Sequence, residues 1–230
     1  MSDESRKFRV VLFDFDGTLV NTTPLILRSF RATWEKLFGF TLDEASYLQT
    51  FGIPLETAMQ QMLAQMTEQQ RITAPADPVA AVAEMLATYR AFNHQWHDQM
   101  IEPFAGVDEM LKEVRRRGCV PGVVTSKKRA GAERGMKIFG LHEIMAVSIC
   151  CEDTTRNKPD PEPLLQAMER LSAAPEETIY VGDSPHDIIA GRAARLATAA
   201  AAWGPFARRE LERFNPNFLL DEPRDLLKLC

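Results

Sequence analysis

The chain has 230 residues, 45% of them hydrophobic and 26% charged, and a formal net charge of −5. That length suits one large domain or a core with a smaller insertion, and either can bury a substantial apolar interior. The mild acidity argues against a nucleic-acid binder that works through a basic field, but a few local cations and a metal still suffice for a small anionic substrate.

Met1–Lys7 carries no apolar signal core, and no apolar stretch approaches the ~20 residues of a membrane span, so an unprocessed protein with no membrane partner is expected. The next residues, Phe8 to Phe15, form a short apolar run that stops at Asp16-Gly17, and its length and β-branched content predict a buried strand. From Pro24 the pattern turns helical. Thr22 or Thr23 can cap this first helix, and Leu25, Ile26, Phe30, Trp34, Leu37 and Phe38 recur at helical spacing. Further helices are predicted over Leu55 to Gln69 and from Val79 to about Trp96, separated by the loop Thr73 to Pro78. No convincing strand falls between residues 20 and 98.

After Pro103 the chain alternates. Val107 to Arg116 reads as a helix closed by Gly118. Strands are predicted at Cys119 to Thr125, Ala146 to Cys151 and Thr178 to Gly182, with weaker ones at Thr198 to Ala202 and Phe218 to Leu220. Helices are predicted from Arg129 to Phe139, from about Pro161, and from Pro185 to Arg195. Such alternation implies an α/β fold, a doubly wound parallel Rossmann-like sheet covered on both faces. Residues 1–19 and 99–230 then form the core and residues 20–98 an inserted all-helical unit. Cys119, Cys150, Cys151 and Cys230 match no zinc module, and a chain of this size does not depend on disulfides, so a reducing cytoplasm is the expected location.

Ligands of a doubly wound sheet bind beyond the carboxyl ends of its strands, so polar residues should follow the apolar runs. Asp14 and Asp16 follow the first, Thr125 and Ser126 the second, and Asp183 a later one, while Lys158 lies in the loop after Ala146–Cys151. This set suits phosphoryl transfer. Carboxylates of Asp14 and Asp183 are hard oxygen ligands appropriate to Mg²⁺. Lys158 and the metal would neutralise a phosphate and admit an anionic nucleophile, and a carboxylate can itself attack to give an aspartyl-phosphate. A carboxyl two residues away can protonate the leaving group and then activate water. Gly17 lets the backbone turn closely around a phosphate, and Thr125 or Ser126 can donate to its oxygens.

The segments Asp14-Phe15-Asp16-Gly17-Thr18, Val123-Val124-Thr125-Ser126, Lys158-Pro159-Asp160-Pro161 and Gly182-Asp183-Ser184-Pro185-His186-Asp187 resemble, in order, the four motifs of the haloacid-dehalogenase superfamily. The helical insertion sits where that family places its first-type cap. The resemblance implies Asp14 as nucleophile, Asp16 as general acid/base, Thr125 at the phosphate and Lys158 steadying both. It implies Mg²⁺ on the Asp14 carboxylate, the Asp16 carbonyl and the Asp183 carboxylate, with Asp187 supporting the metal from behind its ligands. Asp187 could instead simply cap the helix after Pro185.

An aspartate at position 16 speaks against dehalogenation, which in this family generally proceeds without one. The β-phosphoglucomutase type usually carries a histidine soon after the first motif, and Thr22 to Ser29 contains none. Tyr89 to Asp98, Phe51 to Leu55, Ala202 to Gly204 and Pro216 to Leu220 resemble the bacterial inorganic pyrophosphatase branch near phosphoglycolate phosphatase. The expectation is a phosphohydrolase acting on pyrophosphate or a small phosphomonoester. The alternatives are a phosphoglycolate-phosphatase-like enzyme, a phosphomutase and a non-catalytic phosphate sensor. His94 and His97 share a helix face but are too few for a zinc site, so packing or substrate contact is expected of them. Oligomeric state is left open by the sequence.

Overall fold

A strand that is apolar at every position must be covered on both faces, and Val10–Phe13 (β1) is buried throughout. In the computed structural model, which describes residues 8–230, β1 lies near the middle of a six-stranded sheet. The reading of Met1–Lys7 as lacking an apolar leader falls outside the described residues. The other strands are Val120–Val124 (β4), Val147–Ile149 (β5), Thr178–Gly182 (β6), Ala197–Ala201 (β7) and Phe218–Leu220 (β8). They run in the order β5-β4-β1-β6-β7-β8, and every pairing is parallel. The α/β reading of the sequence is therefore the observed fold.

Side chains of β1 alternate between two cores, as a period of two requires. Val11 and Phe13 join Val123, Ile179 and Val181 on one face, whereas Val10 and Leu12 join Val124 and Tyr180 on the other. Each fully buried side chain of this size contributes about 2 kcal/mol of hydrophobic stabilisation. Val107–Arg116 (α5), Arg129–Ile138 (α6), Glu162–Leu171 (α7) and Pro185–Ala193 (α8) make the crossovers. The α5 terminus matches its sequence signal. Gly118 takes φ 75° and donates to Arg115, while Cys119 donates to Val114, so the last carbonyls of α5 are satisfied.

Helix α8 packs closely on β7. A Cβ on Gly191 of α8 would collide with the Thr198 methyl, so helix and strand touch backbone to side chain.

Between β1 and α5 the chain adds no strand to the main sheet. Val20–Asn21 (β2) and Glu102–Pro103 (β3) pair antiparallel as a two-residue ribbon where the chain leaves the sheet layer and returns to it. Between them lie Thr23–Phe38 (α1), Glu44–Leu48 (α2), Leu55–Glu68 (α3) and Pro78–Met100 (α4). Thr22 does sit at the α1 N-cap, but its side chain makes no capping bond. Asp77 caps α4 by accepting from the amides of Val79 and Ala80, both at 3.0 Å.

Helix α4 runs four residues beyond the expected Trp96, because no breaker occurs before Pro103. The five-residue α2 and Arg208–Glu212 (α9) are too short to show a periodicity, and the sequence reading missed both. A third apolar cluster centres on Trp34, Tyr47, Met59 and Met85, and continues through Ile188, Ala200, Phe206 and Leu211 of the sheet layer. No helix among the described residues is long and apolar enough to cross a membrane.

Candidate active site

Three adjacent strands of the sheet, β4, β1 and β6, each deliver a polar side chain at its carboxyl edge. Asp14 follows β1, Thr125 follows β4 and Asp183 follows β6, and all three are buried. The chain runs outward from β1 to β4 and β5, then crosses back to β6, so this edge includes the point where the winding reverses. Immediately after Asp14 the chain folds back on itself. Gly17 donates to the Val20 carbonyl, and both Leu19 and Val20 donate to the carbonyl of Phe15. Gly17 has φ 79°, and a Cβ there would strike the Asp183 carboxylate, so glycine is required twice over. Thr18 donates to Asp183 Oδ1 at 2.7 Å, and the Trp203 indole donates to the Thr18 carbonyl at 2.9 Å.

Lys158 reaches this edge from the loop before α7 and is 2% exposed. Its ammonium lies 3.1 Å from Asp14 Oδ2 and 2.7 Å from Asp187 Oδ1, and donates to the Tyr180 hydroxyl at 2.9 Å. Tyr180 in turn lies within hydrogen-bonding distance of Asp187 Oδ1 and the Val124 carbonyl. The other Asp187 oxygen accepts from the amide and hydroxyl of Ser184. Asp187 is therefore both the capping-box residue of α8 and the partner of Lys158. Of the two readings left open by the sequence, the capping role is the one observed.

Burial dominates the electrostatics. It pushes the Asp14 carboxyl up to about 7, against the pull of Lys158, while Asp187 and Asp16 add to the rise and the Phe15 amide opposes it. Asp183 is driven well above the ordinary carboxylate range by burial, with Asp187 and Asp14 adding to it. Burial alone would depress Lys158, but the carboxylates of Asp14 and Asp187 outweigh it and hold the ammonium up. Asp187 goes the other way from its two neighbours. Burial would raise it, but Lys158 and the Ser184 donors hold it below its ordinary value.

Oxygens of Asp14, Asp183 and Asp187 all lie within 4.8 Å of one another, a set that could hold a metal ion. One ammonium cannot neutralise three buried carboxylates. Hard oxygen donors crowded in this way suit a divalent cation such as Mg²⁺.

Above the carboxylates is a cavity of about 620 Å³, within the range of small-molecule sites. Asp14, Asp16, Thr125, Ser126 and Asp183 line it on the sheet side. The Thr125 oxygen accepts from the Lys127 amide at 3.1 Å, so its own proton is available to a ligand. Ser126 is placed differently from Thr125. Its hydroxyl donates to the Gly52 carbonyl at 2.7 Å and ties the helical segment to the sheet edge. Gly52 has φ 89°, and a Cβ there would meet the Ser184 hydroxyl at 2.5 Å, so this contact needs glycine as well.

The opposite wall has an apolar part, with Ile26, Phe30, Phe51 and Leu55, and a polar part on α4, where Arg90, Asn93, His94 and His97 recur along one face. His97 is buried and its Nδ1 is 2.8 Å from Asp98. Asp98 also takes Arg134 of α6 at 2.9 Å.

All the residues singled out in the sequence thus come to one edge, with Ser126 engaged by Gly52. The sequence reading passed over Thr18, Tyr180, Lys127 and Arg134. Lys127 pairs with Asp16 Oδ1 at 2.7 Å, and its only sequence signal was its place directly after Thr125-Ser126. Tyr180 gave no signal at all, since a tyrosine within a strand reads as core.

A family model for the haloacid dehalogenase-like hydrolases matches residues 11–201. The pyrophosphatase PpaX of Halalkalibacterium halodurans is 37% identical over 223 residues, covering 97% of both chains. Its namesake in Bacillus mycoides is 36% identical over the same length and coverage. Among solved structures, a Lactobacillus plantarum protein provisionally named a phosphoglycolate phosphatase superposes with a TM-score of 0.81 at 28% identity, over 97% of this chain and 100% of that one.

Proposed function

The chain belongs to the haloacid dehalogenase-like hydrolase family, and on that premise we propose that it is a magnesium-dependent phosphohydrolase working through an aspartyl-phosphate on Asp14. The observation that carries this reading is the excess of buried carboxylate over buried ammonium at the end of β1. Mg²⁺ would be held by the carboxylates of Asp14 and Asp183 and the carbonyl of Asp16, and supplies charge neutralisation for the phosphoryl oxygens. Thr125 donates to one of those oxygens. Lys158 holds Asp14 by its Oδ2, and the other carboxylate oxygen, oriented by the Phe15 amide at 2.7 Å, attacks phosphorus as the bond to the leaving group breaks. Asp16 protonates a leaving group that needs a proton. It then takes one from the water that cleaves the Asp14–phosphorus bond. Asp187 and Tyr180 fix Lys158 and touch no substrate.

Residues 20–98 act as a cap that encloses the cavity and excludes water, and residues 1–19 and 99–230 as the hydrolytic core. The pyrophosphatase names of relatives covering nearly the whole chain support inorganic pyrophosphate as substrate. The apolar patch of Ile26, Phe30, Phe51 and Leu55 favours a second reading, a small phosphomonoester with an organic body such as phosphoglycolate or a somewhat larger compound. The metal and substrate chemistry fit the cytoplasm expected from the cysteines.

Phosphate release with and without Mg²⁺, measured for wild type and Asp14→Asn, tests the reading. Loss of at least about four orders of magnitude in Asp14→Asn is expected for a lost nucleophile. Equal rates in the two proteins would sink it.

A further inference from the structure

Building on that reading, we infer that Lys127, in a cavity also lined by Arg90 and Arg134, forms a leaving-group subsite selecting substrates whose departing group carries its own negative charge. The inference starts from Asp16. As general acid it faces the oxygen that leaves, and the Lys127 ammonium is 2.7 Å from its Oδ1. Both side chains are largely buried, and the ammonium lies 5.5 Å from the centre of the Phe15 ring, which limits where it can move. Any group departing beside Asp16 therefore departs beside Lys127.

The surrounding wall repeats the charge. Arg90 lines the cavity from α4, and among the described residues no carboxylate or other partner engages its guanidinium. Arg134 lines it from α6 and is oriented by Asp98. Glu56 is the opposing acid on the helical side.

His97 supplies an independent sign of a ligand. The imidazole is 2% exposed and lines the same cavity, and its Nε2 is buried with no hydrogen-bond partner among the described residues. Its Nδ1–H donates to the Asp98 carboxylate, which leaves Nε2 an acceptor. Burial, together with Lys127 and Arg134 nearby, keeps the ring neutral against the opposing effect of Asp98. A buried acceptor without a donor is unfavourable, and a ligand hydroxyl would relieve it. An acceptor amid cations fits a group that is anionic overall yet still carries a hydroxyl, as monoprotonated orthophosphate does.

The chemistry is consistent with that group. When the Asp14 oxygen attacks one phosphorus of pyrophosphate, the bridging bond on that phosphorus breaks. Its electron pair leaves on orthophosphate, which is stable as an anion without a proton from Asp16. A cation at that position stabilises the charge as it develops, where a low local dielectric makes it count most.

The test compares pyrophosphate with p-nitrophenyl phosphate, two substrates of similar leaving-group acidity, only one of which departs with an ionised substituent of its own. In Lys127→Met the ratio of kcat/KM for pyrophosphate to that for p-nitrophenyl phosphate should fall about tenfold or more, the size of a lost charge-assisted hydrogen bond. Lys127→Arg should restore much of it. Arg90→Ala alters an unpartnered side chain on a helix surface, so it leaves folding intact, and it should lower the same ratio by a smaller factor.

If Lys127 only positions Asp16, both substrates lose activity in parallel. An unchanged ratio in Lys127→Met and Arg90→Ala overturns the subsite while leaving the phosphohydrolase intact. A wild type inactive on both compounds overturns the phosphohydrolase reading and the subsite together.

Discussion

The cavity has a floor and a roof that are built by different rules. The floor is the carboxyl edge of the sheet, where Asp14, Thr125 and Asp183 each follow directly on a strand. Their positions are set by backbone hydrogen bonds between parallel strands, and Lys158, Tyr180 and Asp187 lock together beneath them. The roof is one face of α4 and the turn before α3, held by packing around Trp34, Tyr47 and Met59. Its polar side chains point at the cavity with few protein partners. The floor is rigid because its buried charges require one another. The polar residues of the roof are less tied to the rest of the fold, and such positions can vary at little cost in stability.

The largest effect should come from breaking the floor. Lys158→Met removes the one ammonium among Asp14 and Asp187 and leaves both carboxylates buried, so a loss of roughly 3–5 kcal/mol in urea unfolding is expected, together with loss of activity. A loss below about 1 kcal/mol would show that the floor does not depend on its charges.

Asp14→Asn gives a smaller, pH-dependent shift. The Asp14 pKa is raised from 3.8 to about 7, so its contribution favours the folded protein while protonated and fades as pH climbs through that interval. In chelator, Asp14→Asn should be more stable than wild type above about pH 7, by at most about 4 kcal/mol, with the gap closing toward pH 4. A gap of the same size at both ends would rule out titration of this carboxyl as its source.

Two buried tyrosines make the finest comparison. Tyr180 in the floor makes several hydrogen bonds, whereas Tyr89 in the roof receives one long contact from Asn93 at 3.5 Å. Tyr180→Phe should cost about 1–2 kcal/mol and Tyr89→Phe less than about 0.5 kcal/mol, read from denaturation midpoints. Equal costs would erase the distinction between the two regions.

The same distinction explains what could be read from the sequence. Asp14, Thr125 and Asp183 were legible because an apolar run announces a strand, and its end announces the site. The order of the four motifs then identified the family. Tyr180 was hidden because its role depends on Asp187 and Lys158 arriving from other segments. His94 and His97 were visible as members of a helix face, but which wall that face covers follows from the packing of α1 against α4, and no local pattern encodes it. Lys127 lay in plain view beside Ser126, and only its approach to Asp16, far away in sequence, gives it meaning.

The paired residues Val20 with Pro103 and Asn21 with Glu102 bring the start and finish of the helical segment to one place. Everything between them leaves and rejoins the sheet layer at one clip, beside the packing and the Ser126–Gly52 contact that seat it. Helices there can be lengthened or shortened without changing the register of any strand that delivers a carboxylate to the sheet edge. The wall that faces the carboxylates can thereby change while their own geometry is kept.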